Sequence, residues 1–128
     1  GLAAAGRDGA DFAVVPEIIV SVGEDHTSTR MLLSFYGSTP AYRPVLDAHG
    51  WGDLQPELNA MSKQGGRWQE MATLIDDEIL HTIAACGTPA EVAAHIRDRV
   101  DGVSDRICLY QPGPIAAEAL AEIIDALG

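Results

Sequence analysis

The sequence predicts an α/β fold of parallel strands and helices, the pattern that closes a (β/α) barrel. Three observations predict it. Ile18-Ile19-Val20 is an unbroken apolar run, as in strands buried on both faces. The last third reads as helix, buried strand, tight glycine turn and helix: Cys86-Gly87-Thr88-Pro89-Ala90-Glu91-Val92, then Arg106-Ile107-Cys108-Leu109-Tyr110, then Gln111-Pro112-Gly113-Pro114. Helical stretches separate the two strands, which makes them parallel and joined by crossovers. Two parallel strands are too few to stand alone, so the chain reads as the end of a larger fold.

Taken in order, residues 1–6 resemble the end of a helix stopped by Gly6. Pro16 cannot donate to a strand ladder, which confines the first strand to Glu17 through Val22. Gly23-Glu24-Asp25 is a turn, and Asp25 or Thr27 caps a helix that carries Met31, Leu32 and Phe35 inward and ends near Gly37. Residues 38–85 hold Pro40, Pro44, Gly50, Gly52, Pro56, Gly65 and Gly66 between short helical pieces. Leu54, Leu58 and Met61 mark one piece, Trp68, Met71, Ala72 and Ile75 a second, and Asp76-Asp77-Glu78 opens a third. The stretch is read as a helical insertion within a single partial domain spanning residues 1–128.

Thr88-Pro89-Ala90-Glu91 is a helix start, with Thr88 as N-cap, Pro89 in the first turn and Glu91 completing a capping box. Val92, Ile96 and Val100 recur every four residues and define its buried face. The second strand is expected over residues 106–110 and the last helix over 114–127, with Ile115, Ala119 and Ile123 on one stripe.

Composition narrows the function. The chain has 128 residues, is 47% hydrophobic and carries a net charge of −11. That is enough apolar material for a core, and an acidic surface repels nucleic-acid phosphates and anionic membranes. No apolar run approaches the roughly 18–20 residues of a membrane-spanning helix. Gly1-Leu2-Ala3-Ala4-Ala5-Gly6 lacks the basic and long apolar regions of a signal peptide. The absence of an initiator Met points to a cleavage or cloning product. Two cysteines, Cys86 and Cys108, suit free thiols in a reducing cytoplasm.

Three segments carry a family resemblance. They are Ala5-Gly6-Arg7-Asp8-Gly9-Ala10-Asp11-Phe12; Phe35-Tyr36-Gly37-Ser38-Thr39-Pro40-Ala41-Tyr42-Arg43-Pro44-Val45-Leu46 with His49-Gly50-Trp51; and Gly87-Thr88-Pro89-Ala90-Glu91-Val92 with Asp105-Arg106-Ile107-Cys108-Leu109-Tyr110. Over essentially its whole length the chain resembles the carboxy-terminal part of luciferase-like monooxygenases. The second segment is most similar to the actinobacterial branch that uses the deazaflavin coenzyme F420. The resemblance implies a (β/α)8 TIM barrel that transfers hydride between the cofactor and an organic small-molecule substrate. Flavin mononucleotide (FMN) is the alternative cofactor. A whole barrel takes about 250 residues, so this chain would supply strands seven and eight with the insertion and lack strands one to six. The family's catalytic residues fall in the missing part, and none is assigned here.

Five positions are candidates for cofactor binding. Tyr36 and Tyr42 offer rings to wall a flat cofactor, and Arg43 a partner for phosphate or carboxylate; the alternative is packing of the insertion on the barrel rim. Gln111 and Gly113 follow strand eight, as Ser21 and Gly23 follow strand seven, where barrels often hold phosphate; the alternative is that Gly113-Pro114 merely turns the chain. Asp77 and His81 share a helix face, but acidic residues at a helix start favour the dipole, and no metal is assigned. His26, His49 and His95 are read as isolated, and Trp51 and Trp68 as core anchors.

The expected partner is the missing barrel portion. The rival expectation is a non-catalytic remnant that self-associates through exposed strand edges at Ile18 to Val22 and Ile107 to Tyr110.

Overall fold

The computed structural model of the chain describes residues 3–7, 13–104 and 106–128. The stretch Asp8 to Phe12 of the first family segment, and Asp105 of the third, lie outside the described residues. The first strand, β1 (Glu17–Val22), forms where Pro16 confines it. Helix α1 (Thr27–Ser38) follows, then a 3-10 turn at Pro40–Tyr42 and four short helices: α2 (Arg43–Ala48), α3 (Leu54–Ser62), α4 (Trp68–Thr73) and α5 (Asp77–Ile83). Strand β2 (Ala85–Gly87), helix α6 (Pro89–Val100), strand β3 (Cys108–Tyr110) and helix α7 (Ala117–Leu127) follow, and a single 3-10 turn at Ala3–Ala5 stands before β1 where the end of a helix was expected.

Strand β2 is a correction to the two-strand expectation. Ala85-Cys86-Gly87 contains no β-branched or aromatic residue and is too short to alternate, so it carries no strand signal. Its position after α5 and its pairing make it a strand. The sheet is parallel with order β2-β1-β3. Val20, Ser21 and Val22 pair with Ala85, Cys86 and Gly87, while Glu17, Ile18 and Ile19 pair with Cys108, Leu109 and Tyr110. β1 therefore lies in the middle, with Ile18 and Ile19 paired to β3 and Val20 to Val22 paired to β2, so the expected free edge over Ile18 to Val22 is paired on one side along its whole length; β2 and β3 are the outer strands. In a closed (β/α)8 barrel consecutive strands are neighbours and helices ring one face. Among the described residues the first strand is instead flanked by the second and third, and helices cover both faces.

The alternation of side chains along the strands separates two cores. Ile19 and Cys86 face the cluster of Leu33, Leu58, Met71 and Leu80 from α1, α3, α4 and α5, with Ile75 from the α4–α5 connection. Ile18, Val20 and Ala85 face Val92 and Ile96 of α6 and Ile123 of α7. Trp51 and Trp68 pack against the first cluster, as core anchors should. Gly37 allows α1 to press on α3, since a Cβ there would lie 2.8 Å from Leu58 Cδ1. Arg99 of α6 ties the two sides together by donating to the carbonyls of Ile83 at 2.8 Å and Thr82 at 2.5 Å, at the end of α5.

The caps are local and sequence-driven. Thr88 and Glu91 form the capping box, with Thr88 N–H donating to Glu91 Oε2 at 2.8 Å. Asp76 accepts from Ile79 N–H at 2.8 Å and caps α5. The N-cap of α1 is His26, not Asp25 or Thr27, and Asp25 accepts instead from Thr27 N–H at 2.9 Å. Three smaller expectations are corrected as well. Phe35 is 49% exposed, because α1 buries the stripe Thr29, Leu33 and Gly37; its ring rests 5.9 Å from Trp68. Cys108 is exposed because β3 is an edge strand. Helix α7 begins three residues after Pro114, because Ala116 is still extended at ψ 142°.

Candidate functional site

Two cavities bear on the predicted site residues. The first is on the α1–α5 side of the sheet. The end of α1 and the following 3-10 turn bring Tyr36 and Tyr42 together, ring centroids 5.3 Å apart at 51°. Both line an apolar cavity of about 250 Å³ with Ile19, Leu33, Ile75 and Ile79 behind them. Desolvation, and then the neighbouring Tyr110 hydroxyl, raise the Tyr36 phenol above its ordinary value, so it stays protonated. Ligand pockets usually run from about 300 to 1,000 Å³. This one suits a flat ring rather than a whole cofactor, with stacking on the aromatic walls as its main attraction. Arg43 does not join it. Its guanidinium lies exposed beside Asp47, 3.6 Å away and one turn along α2.

The second is a crevice of about 190 Å³ at the carboxyl ends of β1 and β3, lined by Ser21, Asp25, Ser28, Thr29 and Gly113 among others. It exists because β3 pairs only with the first half of β1. Beyond Tyr110 the chain leaves through Gln111-Pro112-Gly113, and Val20 to Val22 have no strand against them on that side. Gly113 is thus placed at a cavity, whereas Gln111 is exposed and lines neither one. Hydrogen bonds from Thr27 hold the Asp25 carboxyl below the usual range, so the crevice carries a negative charge.

A polar group beside the crevice escaped the sequence reading. Ser21 Oγ and His26 Nδ1 share a hydrogen bond of 2.8 Å across the Gly23 turn. The His26 ring meets His81 edge-on at 6.2 Å. Arg30, from α1, donates to the Ile75 carbonyl and pairs with Asp77. Burial, then the charges of His81 and Arg30, lower the His26 pKa, which keeps the imidazole neutral near pH 7. The histidines are therefore not isolated. His49 stacks on Trp51 at 4.7 Å, and His95 Nε2 accepts from Arg99 Nε at 3.1 Å. The only hint in the sequence was that Ser21 and His26 flank a glycine turn after a strand. Asp77 is engaged by Arg30, and among the described residues no group of three or more His, Cys, Asp or Glu side chains is arranged to hold a metal. Burial pushes the Cys86 thiol up to about 11, too high for a reactive thiolate.

Residues 1–106 match the family model of luciferase-like monooxygenases. The chain belongs to that family. Its relatives include uncharacterized proteins of Mycobacterium bovis and of two strains of Mycobacterium tuberculosis, each 46% identical over 133 aligned residues. The alignment covers 98% of this chain and 37% of each relative, so the chain spans little more than a third of their length. No solved structure matches it. The family match takes in β1, the helices through α6 and both cavities' principal residues except Gly113 and its neighbours. No helix among the described residues is long and apolar enough to cross a membrane.

Proposed function

We propose that the chain is the carboxy-terminal part of a luciferase-like oxidoreductase that passes hydride between coenzyme F420 and an organic substrate in the cytoplasm. FMN is the alternative cofactor. The observation that carries this reading is the family match over residues 1–106, which include the Tyr36 and Tyr42 cavity. The cofactor would supply the hydride chemistry. Tyr36 and Tyr42 would wall its ring and exclude water from one face. The fit is to the ring alone: no cationic side chain is among the lining residues of either cavity, and Asp25 would repel a phosphate in the crevice. The cofactor's anionic tail would then be held outside these two cavities.

Residues 38–85 are then an insertion that carries Tyr42 against Tyr36 of α1 to complete the ring wall, and the chain by itself is inactive. Closing a barrel requires β3 to leave β1 and pair with β2, freeing an edge of β1 for a preceding strand. The test is complementation. The chain and a polypeptide matching the remainder of the relatives' length are assayed separately and mixed. Reduction of F420 by an added organic hydride donor, only in the mixture, is the expected outcome. Activity of the other polypeptide alone, unchanged on mixing, would remove this chain from the catalytic unit.

A second reading, a non-catalytic remnant that self-associates, is favoured by a groove of about 530 Å³ beside β3 lined by Ile107, Leu109, Ile124 and Leu127. Ile124 is 55% exposed at its rim. A homo-oligomer in native mass spectrometry that Ile124→Glu dissociates would favour it; a monomer would rule it out.

A further inference from the structure

We propose that the crevice at the carboxyl ends of β1 and β3 binds a neutral, hydroxyl-rich group, a vicinal diol or short polyol, through Ser21, Asp25, Ser28 and Thr29. The inference does not depend on the ring cavity or on the cofactor assigned to it.

Thr29 is the first observation. It is 1% exposed and lines the crevice, and its hydroxyl has no hydrogen-bond partner among the described residues. Among the described residues, no side-chain nitrogen or oxygen fully shut off from solvent lacks a partner. The sliver of Thr29 that is open is therefore its hydroxyl, and it opens on the crevice. Leaving a buried hydroxyl unbonded is costly unless a ligand or water takes it up.

The start of α1 is the second. This helix of 12 residues has His26 at its N-cap with no side-chain bond to the first turn. Thr27 N–H goes to Asp25 and Arg30 N–H to the His26 carbonyl, while the amides of Ser28 and Thr29 have no such acceptor. Two donors are thus left at the crevice wall. Gly113 brings the β3–α7 connection against them, since a Cβ there would stand 3.3 Å from Ser28 Cβ.

Charge decides the kind of ligand. Free amides at a helix start ordinarily favour an anion. Here Asp25 lines the same space and is held ionised by Thr27, and no Lys, Arg or His is among the lining residues. A phosphate would meet that carboxylate with no counter-charge. A diol satisfies both sides: its protons go to Asp25 and its oxygens accept from the Thr29 and Ser28 groups. Ser21 Oγ, fixed by His26 Nδ1, adds a further polar contact. The volume of about 190 Å³ equals roughly six waters, room for a polyol of a few carbons.

The test is a titration of the full chain with ribitol and, separately, with inorganic phosphate, followed by amide NMR. Ribitol should produce saturable shifts at Ser28, Thr29 and Gly113. Thr29→Val should weaken it about tenfold while leaving Tm unchanged or higher, because an unpartnered hydroxyl is replaced by an isosteric methyl. Asp25→Asn should weaken it as well. Three results would overturn the proposal: no saturable shift with ribitol, ribitol binding that Thr29→Val leaves intact, or phosphate binding that Asp25→Asn tightens.

Discussion

The two faces of the sheet are finished differently. On the side of Ile19 and Cys86, helices α1, α3, α4 and α5 enclose a core in which Leu58, Met71 and Leu80 have no exposure. On the side of Ile18, Val20 and Leu109, α6 and α7 are the covering helices among the described residues. Ile96 and Ile123 are fully buried there, but a groove of about 530 Å³ opens beside them, with Ile96 in its wall. One face is closed by the chain's own insertion; the other is left partly open beside an edge strand. This part of the molecule is self-sufficient on the first face, and further polypeptide has room to pack on the second.

Truncation should expose that contrast. Leu80→Ala removes a side chain from the closed core, where neighbours cannot collapse, and is expected to cost about 3–5 kcal/mol in urea unfolding. Ile96→Ala lies beside the groove, where side chains can relax, and should cost about 2–3 kcal/mol. Equal costs, or a larger one at Ile96, would mean that the two faces are packed alike. Arg99 spans both sides through the carbonyls that end α5. Arg99→Met keeps much of the stem and loses those charge-assisted bonds, for an expected loss of about 1.5–3 kcal/mol. If it costs nothing, the two sides are held by packing alone. Thr88→Ala, at the start of α6, should cost about 1 kcal/mol, the usual value of an N-cap.

The smallest effect is with pH. His26 and His95 both have lowered pKa values, chiefly from burial. The unfolded chain then binds more protons than the folded one as pH falls through the ordinary histidine range, so stability should decrease from about pH 7 to pH 5. His26→Gln should flatten part of that decline. A Tm that rises on acidification over this range would contradict the assignment of both imidazoles as neutral in the fold.

What was legible in the sequence was local. Pro16 placed the start of β1, the Thr88–Glu91 pair placed α6, and Asp76 placed α5, because each acts through hydrogen bonds within a few residues. What was not legible depended on distant pairing. Ala85 to Gly87 becomes a strand only because Val20 to Val22 lie beside it, and the middle position of β1 follows from β3 crossing to its other side. The candidate site divides the same way. Tyr36 and Tyr42 are six residues apart, and their convergence follows from a short helix-to-turn connection. The placement of Arg43 and Gln111 away from the cavities, and the crevice formed by Thr29 and Gly113, required the tertiary arrangement.

The most direct measurement is an equilibrium titration of the chain with F420 and with FMN, followed by cofactor fluorescence, in the wild type and in the double variant Tyr36→Ala, Tyr42→Ala. The expected result is weak, saturable binding, tighter for F420, that the double variant abolishes while far-UV circular dichroism is unchanged. Binding of equal strength in the folded double variant, or no binding of either cofactor, would contradict a ring site walled by these two tyrosines.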